Sequence, residues 1–248
     1  MTATVVVIPC FNEAHRLKVT EFVSYAANFP DVGLLFVDDG SRDATWEVLQ
    51  DLAGRAGQNV HLLRQPRNGG KAEAVRAGMN YALERLEPEV VGFWDADLAT
   101  PLEAIQDLRC VLAKRPGVDM VFGSRVRLLG RQIERRPVRH YLGRLFATVV
   151  SNLLRLPIYD TQCGAKLFRA SDDLRAVLRD PFVSRWVFDV EMIARFIQRA
   201  GGDAARVAPR IYEFPLYAWQ DVAGSKVRPA DFFKAFRDVL RIHRRYLA

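Results

Sequence analysis

The sequence predicts an α/β fold with a doubly wound, mostly parallel sheet. Short apolar runs alternate with helix-length segments through the first half of the chain, and polar clusters follow the ends of several runs. The chain has 248 residues, of which 50% are hydrophobic, and this suffices for one large core. No linker rich in Gly, Ser or Pro divides it, so we expect a single domain over residues 1–248.

The elements can be assigned in order along the chain. The predicted strands are the apolar runs at residues 4–8, 32–37, 60–63, 89–94 and 118–123. The predicted helices cover residues 13–28, 43–56, 70–86, 140–156 and 192–199. Pro101 is expected in the first turn of another helix. From Pro229 onward the pattern is that of a basic amphipathic helix, which we expect to pack on the domain rather than on a membrane.

The cysteines and the apolar runs indicate a compartment. Cys10, Cys110 and Cys163 are odd in number and far apart, which favours neither a disulfide framework nor a zinc site. The first apolar run has no basic region before it, as a signal peptide would have, and no run reaches the length of about eighteen apolar residues that a transmembrane helix needs. We therefore expect a cytoplasmic protein whose membrane contact, at the inner face, is peripheral.

Charge divides the chain into two unequal halves. Residues 1–124 carry 12 Lys/Arg against 17 Asp/Glu, and residues 125–248 carry 24 against 12, so the halves have charges of −5 and +12. This asymmetry indicates an anionic partner for the second half, although a solvated basic face is the alternative. Since no recognisable nucleic-acid module is present, phosphate groups or a lipid surface are the expected partners.

Three polar clusters directly follow predicted strands. They are Asn12-Glu13, Asp38-Asp39-Gly40-Ser41 and Asp95-Ala96-Asp97. In open parallel sheets, ligands bind outside the carboxyl ends of the strands, so these clusters predict one site at one edge. The segment Arg67 to Lys71 can add a lysine and free backbone N–H groups to the same edge, although an ordinary turn is the alternative.

The pair Asp95 and Asp97 is the candidate metal site. Two residues apart at a strand end, their side chains can point the same way and offer oxygen ligands to Mg²⁺ or Mn²⁺. Such a cation would neutralise charge on a departing nucleotide. Turns and helix caps also use aspartate, so the pair gains weight from its place after a buried strand.

Other nucleotide and phosphate folds fit less well. No G-x-G-x-x-G follows the first strand, which disfavours a dehydrogenase, and the Lys71 segment lacks the Walker A spacing of a P-loop. A phosphatase with an aspartyl nucleophile stays as a minor rival, although nothing marks Asp95 as a nucleophile rather than a ligand.

Several motifs resemble the inverting family 2 glycosyltransferases in order and spacing. They are Val7-Ile8-Pro9-Cys10-Phe11-Asn12-Glu13, Val37-Asp38-Asp39-Gly40-Ser41, Asn68-Gly69-Gly70-Lys71 and Asp95-Ala96-Asp97. The second half is similar to the dolichyl-phosphate β-glucosyltransferases. The motifs there are Phe122-Gly123-Ser124-Arg125, Asp160-Thr161-Gln162-Cys163-Gly164, Lys166-Leu167-Phe168, Arg185-Trp186, Phe188-Asp189-Val190-Glu191 and Gly224-Ser225-Lys226.

The resemblance implies a GT-A fold with a nucleotide-sugar-binding half, residues 1–124, and an acceptor-binding half, residues 125–248. The donor, UDP-glucose, would contact Pro9, Phe11, Asn12, Glu13, Asp39, Lys71, Asp95, Ala96 and Asp97. Asp95 and Asp97 would hold the metal, with Asp97 and Arg125 among the catalytic residues. Arg125 and Arg139 would receive the phosphate of a polyprenyl acceptor, which suits guanidinium forks.

The acceptor decides whether a base is needed. A phosphate oxygen is already anionic, whereas a hydroxyl acceptor would need Asp189 or Glu191 as general base. The alternative role for Asp189 and Glu191 is structural, because a carboxylate near a helix N-terminus stabilises the helix. Trp186 is expected to be either a core residue or a platform on which a sugar stacks. A soluble family 2 enzyme with a hydroxyl acceptor and a non-catalytic module for anionic surfaces are the two competing hypotheses.

Overall fold

A seven-stranded sheet forms the centre of the molecule. The computed structural model describes residues 3–134, 137–222 and 229–248, but not the side chains of 137–140 and 229–233. The strand order is β3-β2-β1-β4-β7-β5-β8, and β6 and β9 form a separate two-stranded parallel sheet. The strands are β1 (Thr4–Cys10), β2 (Val32–Asp38), β3 (Val60–Arg64), β4 (Val90–Trp94), β5 (Met120–Ser124), β6 (Gln132–Glu134), β7 (Ala165–Arg169), β8 (Ile211–Pro215) and β9 (Ala218–Gln220).

Helices cover both faces of the large sheet. They are α1 (Val19–Asn28), α2 (Thr45–Ala56), α3 (Lys71–Tyr81), α4 (Ala104–Lys114), α5 (Pro137–Leu154), α6 (Asp172–Arg179), α7 (Phe188–Arg199), α8 (Ala204–Val207) and α9 (Pro229–Tyr246). Two apolar clusters, one containing Phe93 and Phe122 and the other Trp94 and Val121, take alternate residues of the same strands. The predicted doubly wound, mostly parallel sheet is confirmed.

One strand of the large sheet runs against the others. β7 pairs antiparallel with β4 on one side and with β5 on the other, and the sequence did not predict it. Its residues include Lys166, whose side chain is buried, so this strand is not an unbroken apolar run. Because β7 reverses direction, its first residues lie at the edge where β4 and β5 end.

Two helices begin later than predicted. The first was expected from Glu13, but α1 starts at Val19, because the backbone N–H groups of residues 12–14 bond to side chains of residues 41–45 instead of forming a first helical turn. Pro101 precedes α4, which starts at Ala104, rather than lying within it. Both differences leave extra loop at the edge that carries the polar clusters.

The C-terminal helix α9 packs on the domain as predicted. Val239 and Ile242 are each 1% exposed, and Phe236 meets Phe146 of α5 edge to face with ring centroids 5.4 Å apart. Within the described part of the chain, no helix is long and apolar enough to cross a membrane.

Candidate active site

The predicted polar clusters meet at one edge of the sheet. β1, β2 and β4 run parallel and end there, β5 ends at the same edge, and antiparallel β7 starts there. Pro9 lies within β1 beside Val37, one residue before the strand ends. The edge therefore collects residues from both halves of the chain.

The loop after β1 is tied to the loop after β2. Asn12, in the left-handed region with φ 52°, receives a hydrogen bond from the backbone N–H of Arg42 on its Oδ1 (2.9 Å) and donates its own N–H to Ser41 Oγ (3.0 Å). Glu13 is buried, donates its backbone N–H to Thr45 Oγ1 (2.8 Å), and pairs with Arg16 at 2.6 Å. These two predicted nucleotide contacts thus also shape the site.

Asp39 joins the second strand to the loop before α3. Its carboxylate accepts hydrogen bonds from the backbone N–H groups of Gly69 (2.7 Å) and Gly70 (2.8 Å) and from Asn68 Nδ2 (3.0 Å). Burial raises the pKa of Asp39, although the two backbone donors oppose the rise. Gly40, with φ 66°, allows the close approach, since a Cβ there would lie 2.6 Å from the carbonyl carbon of Arg67.

A cleft of about 610 Å³ opens between these loops. Its lining residues are Phe11, Gly40, Ser41, Arg42, Arg64, Gln65, Pro66, Arg67 and Asn68. An aromatic ring, polar side chains and three arginines suit a flat base attached to an anionic group.

Lys71 and Asp95 form the centre of the edge. Lys71 Nζ lies 2.5 Å from Asp95 Oδ1, and both side chains are more than one-third exposed. Partial burial disfavours the ammonium charge, but attraction by Asp95 and Asp189 outweighs it and raises the pKa of Lys71. Gly164 lies opposite, where a Cβ would be 1.9 Å from Asp95 Oδ2, so only glycine leaves room for this carboxylate.

Asp97 lies on the turn beyond Asp95. Its Oδ1 accepts the backbone N–H of Ala99 (3.0 Å), and Ala96 between the two aspartates is buried. Burial first, and then the charge of Asp95, raise the pKa of Asp97. Two carboxylates that repel each other at a partly exposed site fit a divalent cation, which favours their charged forms.

The protein supplies few ligands for such a cation. Among the described residues, no group of three His, Cys, Asp or Glu side chains could hold a metal ion. Asp95 and Asp97 are the two carboxylates that the sequence predicts as metal ligands. Any further ligands would come from water or from a bound diphosphate.

Arg125 is held rigidly at the end of β5. Its Nε and Nη2 contact the two oxygens of Asp160 at 2.6 and 2.8 Å, and its guanidinium lies 5.3 Å from the ring centroid of Trp219. Burial opposes the charge, but Asp160 outweighs it and raises the pKa of Arg125. Asp160 is itself placed by Glu213, which accepts its backbone N–H at 2.7 Å. Arg139 belongs to α5, but its side chain lies outside the described residues.

Asp189 is paired with a buried lysine that the sequence did not single out as a site residue. Lys166 Nζ lies 2.6 Å from Asp189 Oδ1 and near the rings of Phe93 and Phe122, with centroids 5.2 and 5.4 Å away. Asp189 also contributes to the raised pKa of Lys71, so its charge acts on two lysines, Lys166 and Lys71.

Glu191, the other predicted base, has a structural position. It has 0% exposure, and its Oε1 accepts hydrogen bonds from Arg195 (2.7 Å) and Tyr246 (2.9 Å). Its Oε2 accepts the backbone N–H groups of Val183 (2.8 Å) and Ser184 (3.3 Å). Both oxygens of the Glu191 carboxylate are therefore engaged by groups of the protein interior.

Replacing Glu191 with alanine is expected to destabilise the protein by about 3–5 kcal/mol, because it leaves the buried Arg195 charge without its carboxylate. Urea unfolding followed by circular dichroism measures the change. The exposed pair Asp51–Arg55 has the same helical spacing, so Asp51→Ala is a matched control that should cost at most about 1 kcal/mol. Equal effects of the two substitutions would contradict the assigned role of Glu191.

Arg185 and Trp186 precede α7 and are both exposed, Trp186 at 50%. Trp186 is therefore not a core residue. A Cβ on Gly70 would lie 3.2 Å from Arg185 Cδ, so this arginine reaches from the second half to the loop before α3. Its charge works against the raised pKa of Asp39. In the sequence, Arg185 is indicated by the motif resemblance and not by any spacing rule.

Comparisons with known proteins agree with this geometry. A model of glycosyl transferase family 2 matches residues 5–177. Dolichyl-phosphate beta-glucosyltransferases of Trichomonas vaginalis and Homo sapiens are each 30% identical, over 96% and 98% of this chain and 70% and 75% of their own. Glucosyl-3-phosphoglycerate synthase of Mycobacterium tuberculosis, crystallised with Mn²⁺, UDP and glucosyl-3-phosphoglycerate, has the same fold, with a TM-score of 0.69, 19% identity and coverage of 99% and 80%.

Proposed function

The chain belongs to glycosyltransferase family 2, and on this premise we propose that it transfers glucose from UDP-glucose to a polyprenyl phosphate. The observation that carries the proposal is the set of Lys71, Asp95 and Asp97 beside a cleft of nucleotide size. The names of the curated relatives support glucose and a dolichyl-type phosphate as the two substrates.

The donor would lie along the carboxyl edge of the sheet. Its uracil and ribose occupy the cleft beside Phe11 and Asn68, and its diphosphate lies over Lys71 and the aspartates. Asp95 and Asp97 would hold Mg²⁺ or Mn²⁺, which supplies charge neutralisation for the diphosphate. The raised pKa of Lys71 favours its charged form, so Lys71 adds a second positive charge beside the diphosphate.

The acceptor would approach from the second half. An oxygen of its phosphate forms a bond to C1 of glucose, the bond from C1 to the diphosphate oxygen breaks, and UDP leaves with the electron pair. In-line attack inverts the configuration, so an α-linked donor gives a β-linked product. Arg125, fixed by Asp160, orients the acceptor phosphate, and no base is needed.

A polyprenyl acceptor also requires contact with a membrane surface. Leu128 and Leu129, in the loop between β5 and β6, are 47% and 105% exposed and follow the exposed Arg127. Exposed leucines beside a basic residue suit peripheral contact with an anionic bilayer. The contact would place the acceptor phosphate near the end of β5.

The test is a transfer assay with purified protein. UDP-glucose, UDP-galactose, UDP-N-acetylglucosamine and GDP-mannose are each incubated with a short polyprenyl phosphate, with and without Mn²⁺, and products are identified by mass spectrometry. We expect a glucosyl phospholipid from UDP-glucose and loss of activity when EDTA is added. Transfer from another donor only, or activity unaffected by EDTA, would overturn the corresponding part of the proposal.

A second candidate function is transfer to a hydroxyl. It is favoured by Asp189, which lies at the start of α7 close enough to Lys71 to affect its pKa. If the acceptor is a hydroxyl, Asp189→Asn should reduce the rate by about 10²–10⁴-fold, as loss of a general base does. With a phosphate acceptor the variant should keep its rate within about tenfold. Because Asp189 also pairs with the buried Lys166, the comparison between the two acceptors is made on protein that circular dichroism shows to be folded.

A further inference from the structure

Three polar groups are buried beside the Arg125–Asp160 ion pair without a hydrogen-bond partner among the described residues. They are Ser124 Oγ, Thr161 Oγ1 and Gln162 Nε2. Ser124 and Thr161 are each 1% exposed. Since buried polar groups are nearly always paired in folded proteins, three unpaired ones in one place indicate that a ligand or ordered water pairs with them.

The Arg125–Asp160 pair brings the three groups together. Ser124 precedes Arg125 at the end of β5, whereas Thr161 and Gln162 follow Asp160. Asp160 accepts the backbone N–H of Arg125 at 3.1 Å and that of Gln162 at 3.2 Å. The two segments are thus held against each other by one carboxylate.

The register of the sheet places Ser124 near Asp95. Phe122 pairs with Lys166 and Trp94 with Ala165, so both Ser124 and Asp95 lie opposite Gly164. Directly paired residues share a face of the sheet, and Gly164 has no side chain to separate its two neighbours. With strands about 4.8 Å apart, Ser124 and Asp95 are roughly 10 Å apart at the backbone, and the Asp95 carboxylate extends over Gly164, which lies between them.

The strand order also gives a direction along the edge. The nucleotide cleft lies at the ends of β1, β2 and β3, Asp95 follows β4 in the middle, and Ser124 ends β5 on the far side. A nucleotide sugar whose base occupies the cleft and whose diphosphate lies at Asp95 has its sugar next in line. The three unpaired groups lie at that end.

Their chemistry suits hydroxyl groups better than phosphate. Two hydroxyls can donate and accept, and a carboxamide can do both, which matches the hydroxyls of a hexose. Arg125 and Lys71 are the cations that the proposed function assigns to the acceptor phosphate and to the diphosphate. We propose that Ser124, Thr161 and Gln162 form the subsite that binds the hydroxyls of the transferred hexosyl group and selects its configuration, an inference that rests on the proposed function.

The variants Thr161→Val and Ser124→Ala test this subsite, because each removes a hydroxyl with little change of shape. Titration calorimetry with Mn²⁺ gives the affinities for UDP and UDP-glucose, and the transfer assay gives kcat/KM for UDP-glucose and UDP-galactose. We expect UDP affinity to stay within about twofold, and kcat/KM for UDP-glucose to fall about 10- to 100-fold, as when one buried hydrogen bond with a substrate is lost. The ratio of kcat/KM for UDP-glucose to that for UDP-galactose should fall as well.

Stability separates this role from a structural one. If the two hydroxyls are unpaired in the free protein, removing them should leave its melting temperature unchanged or raise it, because an unpaired buried polar group costs free energy of folding. Thr20→Val, at an exposed position of α1, is the control and should change neither stability nor selection. A lower melting temperature with unchanged sugar selection would overturn the proposal, because the groups would then be paired by water.

The other outcomes are equally decisive. A raised KM for the lipid phosphate alone would assign the groups to the acceptor, and equal losses for UDP and UDP-glucose would assign them to the nucleotide. Either result contradicts a hexose subsite. A wild-type protein that binds neither compound would instead overturn the proposed function, whereas glucose transfer with unaltered selection in both variants would overturn this inference alone.

Discussion

Asp97→Asn is expected to lower the rate of glucosyl transfer by at least about 10³-fold. The variant keeps the size of the side chain but removes one of the two charges that would hold the cation at the leaving diphosphate, an electrostatic contribution of several kcal/mol, with about 1.4 kcal/mol for each factor of ten. The fold should survive, because within the described residues Asp97 accepts a single hydrogen bond, from the backbone N–H of Ala99, which the Asn oxygen can still accept.

Initial rates at saturating UDP-glucose and several Mn²⁺ concentrations measure this effect, with circular dichroism as the check on folding. Asp172→Asn is the matched control, since Asp172 is exposed at the start of α6, beyond the end of β7 at the opposite edge of the sheet. It should be fully active. A folded Asp97→Asn protein with wild-type rates would show that this carboxylate is not part of the reaction site.

Gly164→Ala is expected to reduce transfer by about a hundredfold, although residue 164 carries no functional group. The new Cβ would lie 1.9 Å from Asp95 Oδ2 and 2.2 Å from Asp95 Cγ, so the carboxylate must move away. Misplacement of a catalytic group by about 1 Å can cost a factor of 10². Because Asp95 also pairs with Lys71, the substitution disturbs both charges at once.

The measurement combines kcat/KM with the melting temperature. Gly54→Ala serves as control, because a Cβ at this exposed position of α2 meets nothing within 4 Å. Alanine should there leave the rate unchanged and raise stability by about 0.5–1 kcal/mol. If Gly164→Ala kept its wild-type rate, the observed position of Asp95 would not be required for transfer.

The sequence predicted the parallel part of the fold well, because a strand buried on both faces is recorded as an unbroken apolar run. The run at residues 90–94, within the predicted strand 89–94, is an example, and it is the strand β4 (Val90–Trp94). β7 lacks this signal, since the buried Lys166 interrupts it and finds its partner, Asp189, 23 residues away. Pairing across such a separation cannot be read from local pattern.

The same distinction applies to the site. Asp39, Asp95 and the loop leading to Lys71 were located by their places after apolar runs, and the structure brings them to one edge. The conformations of these loops, however, depend on hydrogen bonds from backbone N–H groups to distant side chains. The bonds from residues 12–14 to residues 41–45 are an example, and because of them α1 begins later than predicted. Glu191 shows the opposite case, because its burial depends on Arg195 and on Tyr246 of the last helix, a contact across 55 residues.

A crystal structure of the protein with UDP and Mn²⁺ tests the central claim most directly, namely that the carboxyl edge of this sheet binds the nucleotide through its aspartates. We expect uracil in the cleft beside Phe11 and Asn68, the diphosphate within reach of Lys71, and Mn²⁺ between that diphosphate and Asp95 or Asp97. UDP bound at another surface, or at this edge without contact between its metal and either aspartate, would contradict the account.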